Sequence, residues 1–220
     1  AREGARLVVN AAGEENTQKC AALICAQGGQ ALAVPGDVSN PETGKIIIQT
    51  ALNTGGRVDI LVNCAGITQD GMLHRMSDEA WNRVLAINLT GAFYLMRAAA
   101  VHMRQTRWGR IVNIGSAAQQ GNLGQANYAA SKAGLAALTQ TAARELAPFG
   151  ITCNVVSPGM IETDMTRTMP EQARQAMLGR IPAGRIGSPA DVAALTAFLV
   201  SEAAGYVTGE VIQVGGGLIL

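Results

Sequence analysis

The stretch "RIVNIGSAAQQGNLGQANYAASK", residues 110–132, contains the two signals that decide the fold. Residues 110–115 form a near-continuous apolar run, which is typical of a parallel strand that is covered on both faces. From residue 127 a helical pattern begins and continues to residue 147. A buried strand followed by a helix of this length predicts a right-handed crossover unit of a parallel sheet.

The same alternation of short apolar runs and longer helical patterns extends over the whole chain. It predicts strands at residues 6–10, 31–35, 58–63, 110–115, 151–156 and 210–214. It predicts helices at residues 14–27, 41–54, 78–104, 127–147 and 189–201. The expected fold is therefore α/β: a Rossmann-like doubly wound parallel sheet with helices on both faces, in a single domain over residues 1–220.

The first five residues, "AREGA", resemble the last turn of a helix that leads into strand 6–10. In nucleotide-binding sheets of this kind, a strand and a glycine-rich turn come before that helix, and neither is present among these 220 residues. The absent strand is expected to lie between strands 6–10 and 58–63. Because paired strands lie about 4.8 Å apart, we predict a gap there that no hydrogen bond spans.

The composition narrows the possible classes of function. A net charge of +1, with 15% charged residues, offers no basic surface of the kind that binds nucleic acid. No apolar run approaches the length of a membrane span. The cysteines lack metal-binding spacing and are expected to be reduced core thiols of a cytoplasmic protein, with disulfides as the less favoured alternative: Cys20, Cys25, Cys64 and Cys153.

Tyr128 and Lys132 are four residues apart in the predicted helix, so they lie on one face, one turn apart. An ordinary tyrosine has a pKa of about 10, and a cation close to a phenol can lower that value by ~1–3 units. We therefore predict that Lys132 lowers the pKa of Tyr128 and that Tyr128 acts as a general acid. Taken alone, the pair is more typical of an ordinary helix surface than of a catalytic site.

Two further polar residues fall where a site is expected. Ser116 ends strand 110–115, at the carboxyl edge where open parallel sheets bind their ligands. Its hydroxyl is placed to hydrogen-bond a substrate carbonyl oxygen and to align that oxygen with Tyr128. Asn88 interrupts an apolar helical pattern, and a buried amide needs partners. It either ties neighbouring backbone together or holds a water that links Lys132 to solvent.

Five segments of the chain resemble the short-chain dehydrogenase/reductase family: "NCAG" (63–66), Asn88, Ser116, "YAASK" (128–132) and "SPGMIETDMT" (157–166). The resemblance covers the chain except for the family's N-terminal glycine-rich turn. It implies that hydride moves between a nicotinamide ring and a carbonyl carbon, with Lys132 also contacting the ribose hydroxyls of the cofactor. The catalytic tetrad that it implies is Asn88, Ser116, Tyr128 and Lys132.

The predicted cofactor contacts follow the carboxyl ends of the strands, where small residues let the backbone approach a ligand closely. By the resemblance, Asp37 accepts a hydrogen bond from the adenine amino group; the alternative is an ordinary turn aspartate. Main-chain groups of Ile161 are expected to meet the nicotinamide carboxamide. Besides Tyr128 and Lys132, the predicted contacts are Asn10, Asp37, Val38, Asn63, Ala65, Gly66, Pro158, Gly159, Ile161 and Thr163.

The end of strand 6–10 bears on which nicotinamide cofactor is used. NAD-dependent folds usually place an acidic residue there, where it bonds the ribose 2′-hydroxyl. In this chain the strand ends in Asn10, followed by Ala11 and Ala12. With no carboxylate where a 2′-phosphate would sit, the sequence favours NADP(H) over NAD(H).

Longer segments resemble the β-ketoacyl-acyl-carrier-protein reductases within this family, above all residues 159–166. That implies a β-ketoacyl group on an acyl carrier protein as substrate; acetoacetyl-CoA, an alcohol or a sugar are alternatives, and a cofactor-free scaffold subunit is another. An acyl carrier protein is acidic, so a basic cluster is expected beside the pocket. The candidates are Arg104, Arg107 and Arg110, unless they simply form a solvated helix end.

Two further expectations concern mobility and assembly. Residues 164–188 show little core pattern and are expected to form a mobile flap over the substrate. Helices 78–104 and 127–147 are apolar for a monomer, and the resemblance implies a homotetramer in which they and strand 210–214 form the interfaces. Arg144 and Glu145 are candidate interface residues.

Overall fold

The computed structural model describes residues 1–163, 166 and 169–218. Within these residues the predicted alternation of strands and helices is present. The strands are β1 (Arg6–Val9), β2 (Gln30–Ala33), β3 (Ile60–Asn63), β4 (Gly109–Ile114), β5 (Ile151–Pro158) and β6 (Val211–Val214). The helices are α1 (Glu14–Ala26), α2 (Pro41–Gly55), α3 (Asp78–Leu85), α4 (Ala92–Thr106), α5 (Ala126–Leu146), α6 (Glu171–Leu178) and α7 (Pro189–Leu199).

All strand pairs are parallel, and they form two sheets with the orders β1-β2 and β3-β4-β5-β6. No hydrogen-bonded pairing joins β1 to β3 among the described strands, so the predicted gap between them is confirmed. A cleft of about 2480 Å³ fills this gap and continues to the carboxyl edge of the larger sheet. Its walls include Leu7 and Val8 of β1 and Ile60 and Val62 of β3.

Helices cover both faces of the larger sheet, as predicted. Neighbouring residues of a strand point to opposite faces. Thus Ile111 packs in a core cluster with Met103 of α4, whereas the next residue, Val112, packs with Leu199 of α7. All four of these side chains are fully buried. The strand β4 therefore lies at the centre of the core, which explains why its sequence is a continuous apolar run.

The predicted helix 78–104 is not one regular helix. It begins at Asp78, where the Ser77 side chain accepts from Ala80 N as an N-cap, and α3 ends at Leu85. Residues Ala86–Gly91 then form a wider π turn before α4 begins. A π turn inserts one extra residue into the hydrogen-bond ladder, and such turns are frequent at functional sites. Here the turn contains Asn88.

The expectation that no apolar stretch is long enough to span a membrane is wrong by length and composition. The continuous helical segment Asp78–Thr106 has 29 residues, and its most apolar window has a mean hydropathy of 1.5. Its residues Ile87, Leu95, Met96, Ala99 and Met103 belong to the main core cluster, and 44% of that stretch is buried inside the fold. One helix of this length and composition does not by itself indicate a membrane protein.

The segment 164–188, predicted to be a flap with little core pattern, contains a helix and a buried anchor. Its residues 164, 165, 167 and 168 lie outside the described residues. Among the rest, α6 is helical and Ile181 is 4% exposed, packed with Met160 and Leu218. These partners come from the end of β5 and from the C-terminal segment, so no local sequence pattern indicates the contact. Mobility of the segment stays a prediction.

The cysteines are free thiols, but the expectation that all four are core residues is wrong. Only Cys153, in β5, is buried, and burial raises the pKa of its thiol to about 12. Cys20 and Cys25 are exposed on α1, and Cys64 is exposed just after β3, where it lines the cleft. Apolar sequence neighbours therefore did not imply burial at these three positions.

Candidate active site

The carboxyl ends of β3, β4 and β5 bring the predicted site residues to one edge of the sheet. Asn63 pairs with Asn113 at the end of β3 and β4, and Pro158 is the last residue of β5. Ser116 follows β4 by two residues and caps a short 3-10 turn by accepting from Ala118 N at 3.2 Å. Because parallel strands end at the same edge, these residues border the same cleft.

Tyr128 and Lys132 lie on one face of α5, as predicted, and both line the cleft. The Lys132 side chain is buried, and its Nζ donates to the backbone oxygen of Ile114 at 2.7 Å. The same Nζ lies 5.7 Å from the centre of the Tyr128 ring. The ammonium therefore faces the phenol ring and the end of β4, and it anchors the helix to the strand that leads to Ser116.

The predicted lowering of the Tyr128 pKa is wrong. Burial raises the pKa of the phenol, the Ser116 side chain acts in the lowering direction, and the charge of Asp70 raises it further. Lys132 is not among the causes of this shift. Tyr128 therefore carries its proton at neutral pH, which is the form that a proton donor requires.

The pKa of the Lys132 ammonium is strongly lowered. Burial lowers its pKa from 10.5 to about 8, while the neighbouring Cys64 acts in the opposite direction. An ammonium has three donors, and the described residues supply one acceptor at hydrogen-bond distance, the Ile114 carbonyl. Two N–H groups are left for a ligand. A pair of adjacent hydroxyls, as on a ribose, matches that capacity.

Asn88 acts on the backbone rather than lining the cleft. Its Oδ1 accepts from Ile67 N at 2.9 Å, and its Nδ2 donates to Ile67 O at 3.0 Å and to Ser131 Oγ at 3.1 Å. Ser131 in turn donates to Tyr128 O at 2.7 Å. The first of the two predicted roles, tying neighbouring backbone together, is the one with contacts in the structure. Through Ser131 these bonds link the π turn to the helix of Tyr128 and Lys132.

Nearly all predicted cofactor residues border the cleft. Asp37 is an exception: its carboxylate bonds the Ser39 hydroxyl at 2.7 Å and Arg83 at 2.9 Å, and these contacts hold its pKa below the ordinary value. Asn10 borders the cleft, but its Nδ2 donates to Val34 O and Gly36 O. The predicted residues that line the cleft are Asn10, Val38, Asn63, Ala65, Gly66, Ser116, Tyr128, Lys132, Pro158, Gly159, Ile161 and Thr163.

The predicted basic cluster does not lie at the carboxyl edge of the sheet, where the site residues border the cleft. Arg104 and Arg107 lie at the end of α4, and Arg110 lies at the start of β4, about 20 Å along the strand from Ser116. Arg110 is buried, and its guanidinium donates to the backbone oxygens of Gly109, Gly150 and Ser201. Arg110 therefore has a structural role. The cluster as a whole lies at the amino edge of the sheet, opposite the site.

The sequence analysis did not identify two residues that lie beside Tyr128. Asn127 is fully buried: its Nδ2 donates to Gln69 O at 2.9 Å, and its Oδ1 accepts from Tyr128 N at 2.7 Å. Asp70 contributes a charge close enough to affect the phenol. A signal existed for Asn127, since a polar amide within the first turn of an otherwise apolar helix needs partners. Nothing in the sequence indicates the position of Asp70.

Gly66 keeps the centre of the site open. A Cβ at this position would lie 3.5 Å from both Asn88 Oδ1 and Lys132 Nζ. Contacts of that length are ordinary in a folded protein, so a methyl group fits the chain without strain while filling the space in front of the ammonium. The donors of Lys132 and this open space fit a nicotinamide ribose.

We therefore expect Gly66→Ala to fold normally and to bind NADPH at least tenfold more weakly. Fluorescence titration with NADPH measures the affinity, and thermal unfolding without cofactor measures the stability. Gly55→Ala is the matched control, because nothing lies within 4 Å of a Cβ there. Wild-type affinity in a stable Gly66→Ala protein would contradict the placement of the ribose at Lys132.

The chain is similar to known proteins along its whole length. A family model described as enoyl-(acyl carrier protein) reductase matches residues 1–219. The chain is 42% identical to the 3-oxoacyl-[acyl-carrier-protein] reductase FabG of Vibrio cholerae over 221 residues, which cover all of this chain and 89% of the relative. It is 42% identical to the proteins of the same name from Escherichia coli K12, over 221 residues, and from Pseudomonas aeruginosa, over 220, with the same coverage.

Proposed function

The chain belongs to the short-chain dehydrogenase/reductase family, and from that premise we propose that it reduces a β-ketoacyl thioester on an acyl carrier protein to the β-hydroxyacyl form, in fatty-acid synthesis. The observation that carries the proposal is the meeting of Ser116, Tyr128 and Lys132 at one cleft at the carboxyl edge of the sheet. The names of the relatives, at 42% identity over the whole chain, support the substrate class.

Each of these side chains has a defined task in such a reduction. The Ser116 hydroxyl donates a hydrogen bond to the substrate carbonyl oxygen and aligns it with the phenol. Tyr128, which burial keeps protonated, gives its proton to that oxygen. Lys132 would hold the ribose hydroxyls of a nicotinamide cofactor with its two remaining N–H groups. The chemistry that such a cofactor would supply is hydride transfer to the carbonyl carbon.

A comparison of substrates tests the proposal directly. We expect turnover of acetoacetyl groups on an acyl carrier protein, slower turnover of acetoacetyl-CoA, and none of simple alcohols or sugars. Turnover of an alcohol with inert thioesters would overturn the proposed substrate. A cofactor-free scaffold subunit is the second candidate, and calorimetry that detects no binding of nicotinamide nucleotides by the purified protein would favour it.

NADP(H) is the proposed cofactor, because the positions directly after β1, where a 2′-phosphate would lie, are Asn10, Ala11 and Ala12 and carry no carboxylate. We expect Asn10→Asp to lower the ratio of kcat/KM for NADPH to that for NADH by at least tenfold, since the new carboxylate repels the phosphate and accepts from a 2′-hydroxyl. Asn10→Leu is the control: it also loses the bonds to Val34 and Gly36 but adds no charge. An equal ratio in both variants would contradict the assignment.

We also propose a homotetramer that works in the cytoplasm. Exposed apolar side chains on α3 and α4 support it: Trp81 is 37% exposed, Phe93 38% and Val101 55%. Arg97 lies over the Phe93 ring at 5.0 Å on the same surface. Arg144 and Glu145 on α5 are exposed and available for interface contacts. Light scattering of the purified protein measures the mass, and a monomer at micromolar concentration would rule the assembly out.

A further inference from the structure

Asp70 joins two loops that border the site. Its carboxylate accepts from Gln125 Nε2 at 3.1 and 3.2 Å, and Gln125 Oε1 accepts from Asn122 Nδ2 at 2.9 Å. Next to Asp70, Gly71 N donates to Gly124 O at 2.8 Å. The loop after β3 and the loop before α5 are therefore fastened together through both side chains and backbone.

This fastening acts on the turn of helix that carries Tyr128. Gln125 is the N-cap residue of α5, and its backbone oxygen accepts from Ala129 N at 2.8 Å. Its side chain does not cap the helix, because the carboxamide is directed to Asp70 and Asn122 instead. The position of Gln125 therefore sets the start of α5, and the phenol of Tyr128 lies three residues further along.

Charged and polar groups reach the phenol from three elements among the described residues. Lys132 comes from α5 itself, Ser116 from the loop after β4, and Asp70 from the loop after β3. After burial, which is the main cause of the raised pKa of Tyr128, Asp70 is the neighbouring charge that acts in the same direction. Asp70 is exposed, so its influence through solvent is modest and depends on ionic strength.

We infer that Asp70 is a positioning residue for the proposed reduction. By holding Gln125 it fixes the first turn of α5, and its negative charge opposes ionisation of the Tyr128 hydroxyl before substrate binds. The inference rests on the proposed role of Tyr128 as proton donor. Asp70 is an exposed loop residue that belongs neither to the predicted tetrad nor to the predicted cofactor contacts.

The charge and the hydrogen bonds of Asp70 are separable by substitution. Asp70→Asn keeps an acceptor for Gln125 and removes the charge. We expect the alkaline limb of the kcat/KM pH profile to move to lower pH at low ionic strength, and this difference to shrink at 1 M salt, because exposed charges are screened there. Asp59→Asn is the control: Asp59 is a partly exposed carboxylate at the amino edge of the sheet.

Asp70→Ala removes both contributions, and we expect kcat to fall about tenfold with the NADPH dissociation constant unchanged. A wild-type alkaline limb in Asp70→Asn at low salt, or full kcat in Asp70→Ala, overturns the inference. Tyr128→Phe separates this failure from that of the proposed function. If Tyr128→Phe is inactive and Asp70→Asn has the wild-type limb, only the role of Asp70 falls; if Tyr128→Phe stays active, both fall.

Discussion

We expect Tyr128→Phe to lose ~10²–10⁴-fold in kcat with an acetoacetyl thioester, while its dissociation constant for NADPH stays within about twofold of wild type. The substitution removes one oxygen and keeps the ring that packs over Lys132. Because burial keeps the Tyr128 proton in place at neutral pH, the lost group is the proposed proton source of the reaction. Its contribution falls mainly in the transition state, so binding of the cofactor is spared.

Steady-state kinetics and fluorescence titration of the same preparation measure the two quantities. Tyr206→Phe is the matched control, because the Tyr206 side chain is fully exposed and does not line the cleft. It should be indistinguishable from wild type. Residual activity above about a tenth of wild type in Tyr128→Phe would mean that another group donates the proton, and the assignment of Tyr128 would be wrong.

The sequence was sufficient for the fold because the decisive signals are local. The run at β4 is apolar on both faces, and the structure places Ile111 and Val112 in separate core clusters on the two sides of the sheet. The gap beside β3 followed from the same reasoning, since neighbouring parallel strands have a fixed spacing. The convergence of Ser116 with Tyr128 followed from the rule that parallel strands end at one edge.

The features that the sequence analysis missed or predicted wrongly depend on contacts between residues far apart in the chain. The spacing of Tyr128 and Lys132 gave their shared face, but the pKa of the phenol depends on burial and on Asp70, which belongs to another loop. The π turn at Asn88 depends on the backbone of Ile67, 21 residues away. The position of Arg110 away from the site already follows from the sequence: a residue that begins a strand lies at the amino edge of the sheet, opposite the edge where ligands bind.

Lys132→Met should abolish activity and at the same time stabilise the chain without cofactor. A pKa of about 8 in place of 10.5 means that the fold opposes the charge of this lysine by roughly 3 kcal/mol at neutral pH. Removing the charge therefore stabilises the fold, but loss of the hydrogen bond to the Ile114 carbonyl offsets about 1–2 kcal/mol of that stabilisation. We expect a net increase of about 1–2 kcal/mol in the free energy of unfolding at pH 7, with kcat reduced at least 100-fold.

The pH dependence distinguishes this cause from improved packing. Between about pH 8 and 10.5 the unfolded chain binds the Lys132 proton and the folded chain does not, so wild-type stability rises with pH across that window and the methionine variant lacks this rise. Urea unfolding at pH 7 and pH 10 measures the difference, with Lys45→Met, an exposed lysine paired with Glu42, as control. An advantage of Lys132→Met that is equal at both pH values would show that the buried charge is not its source.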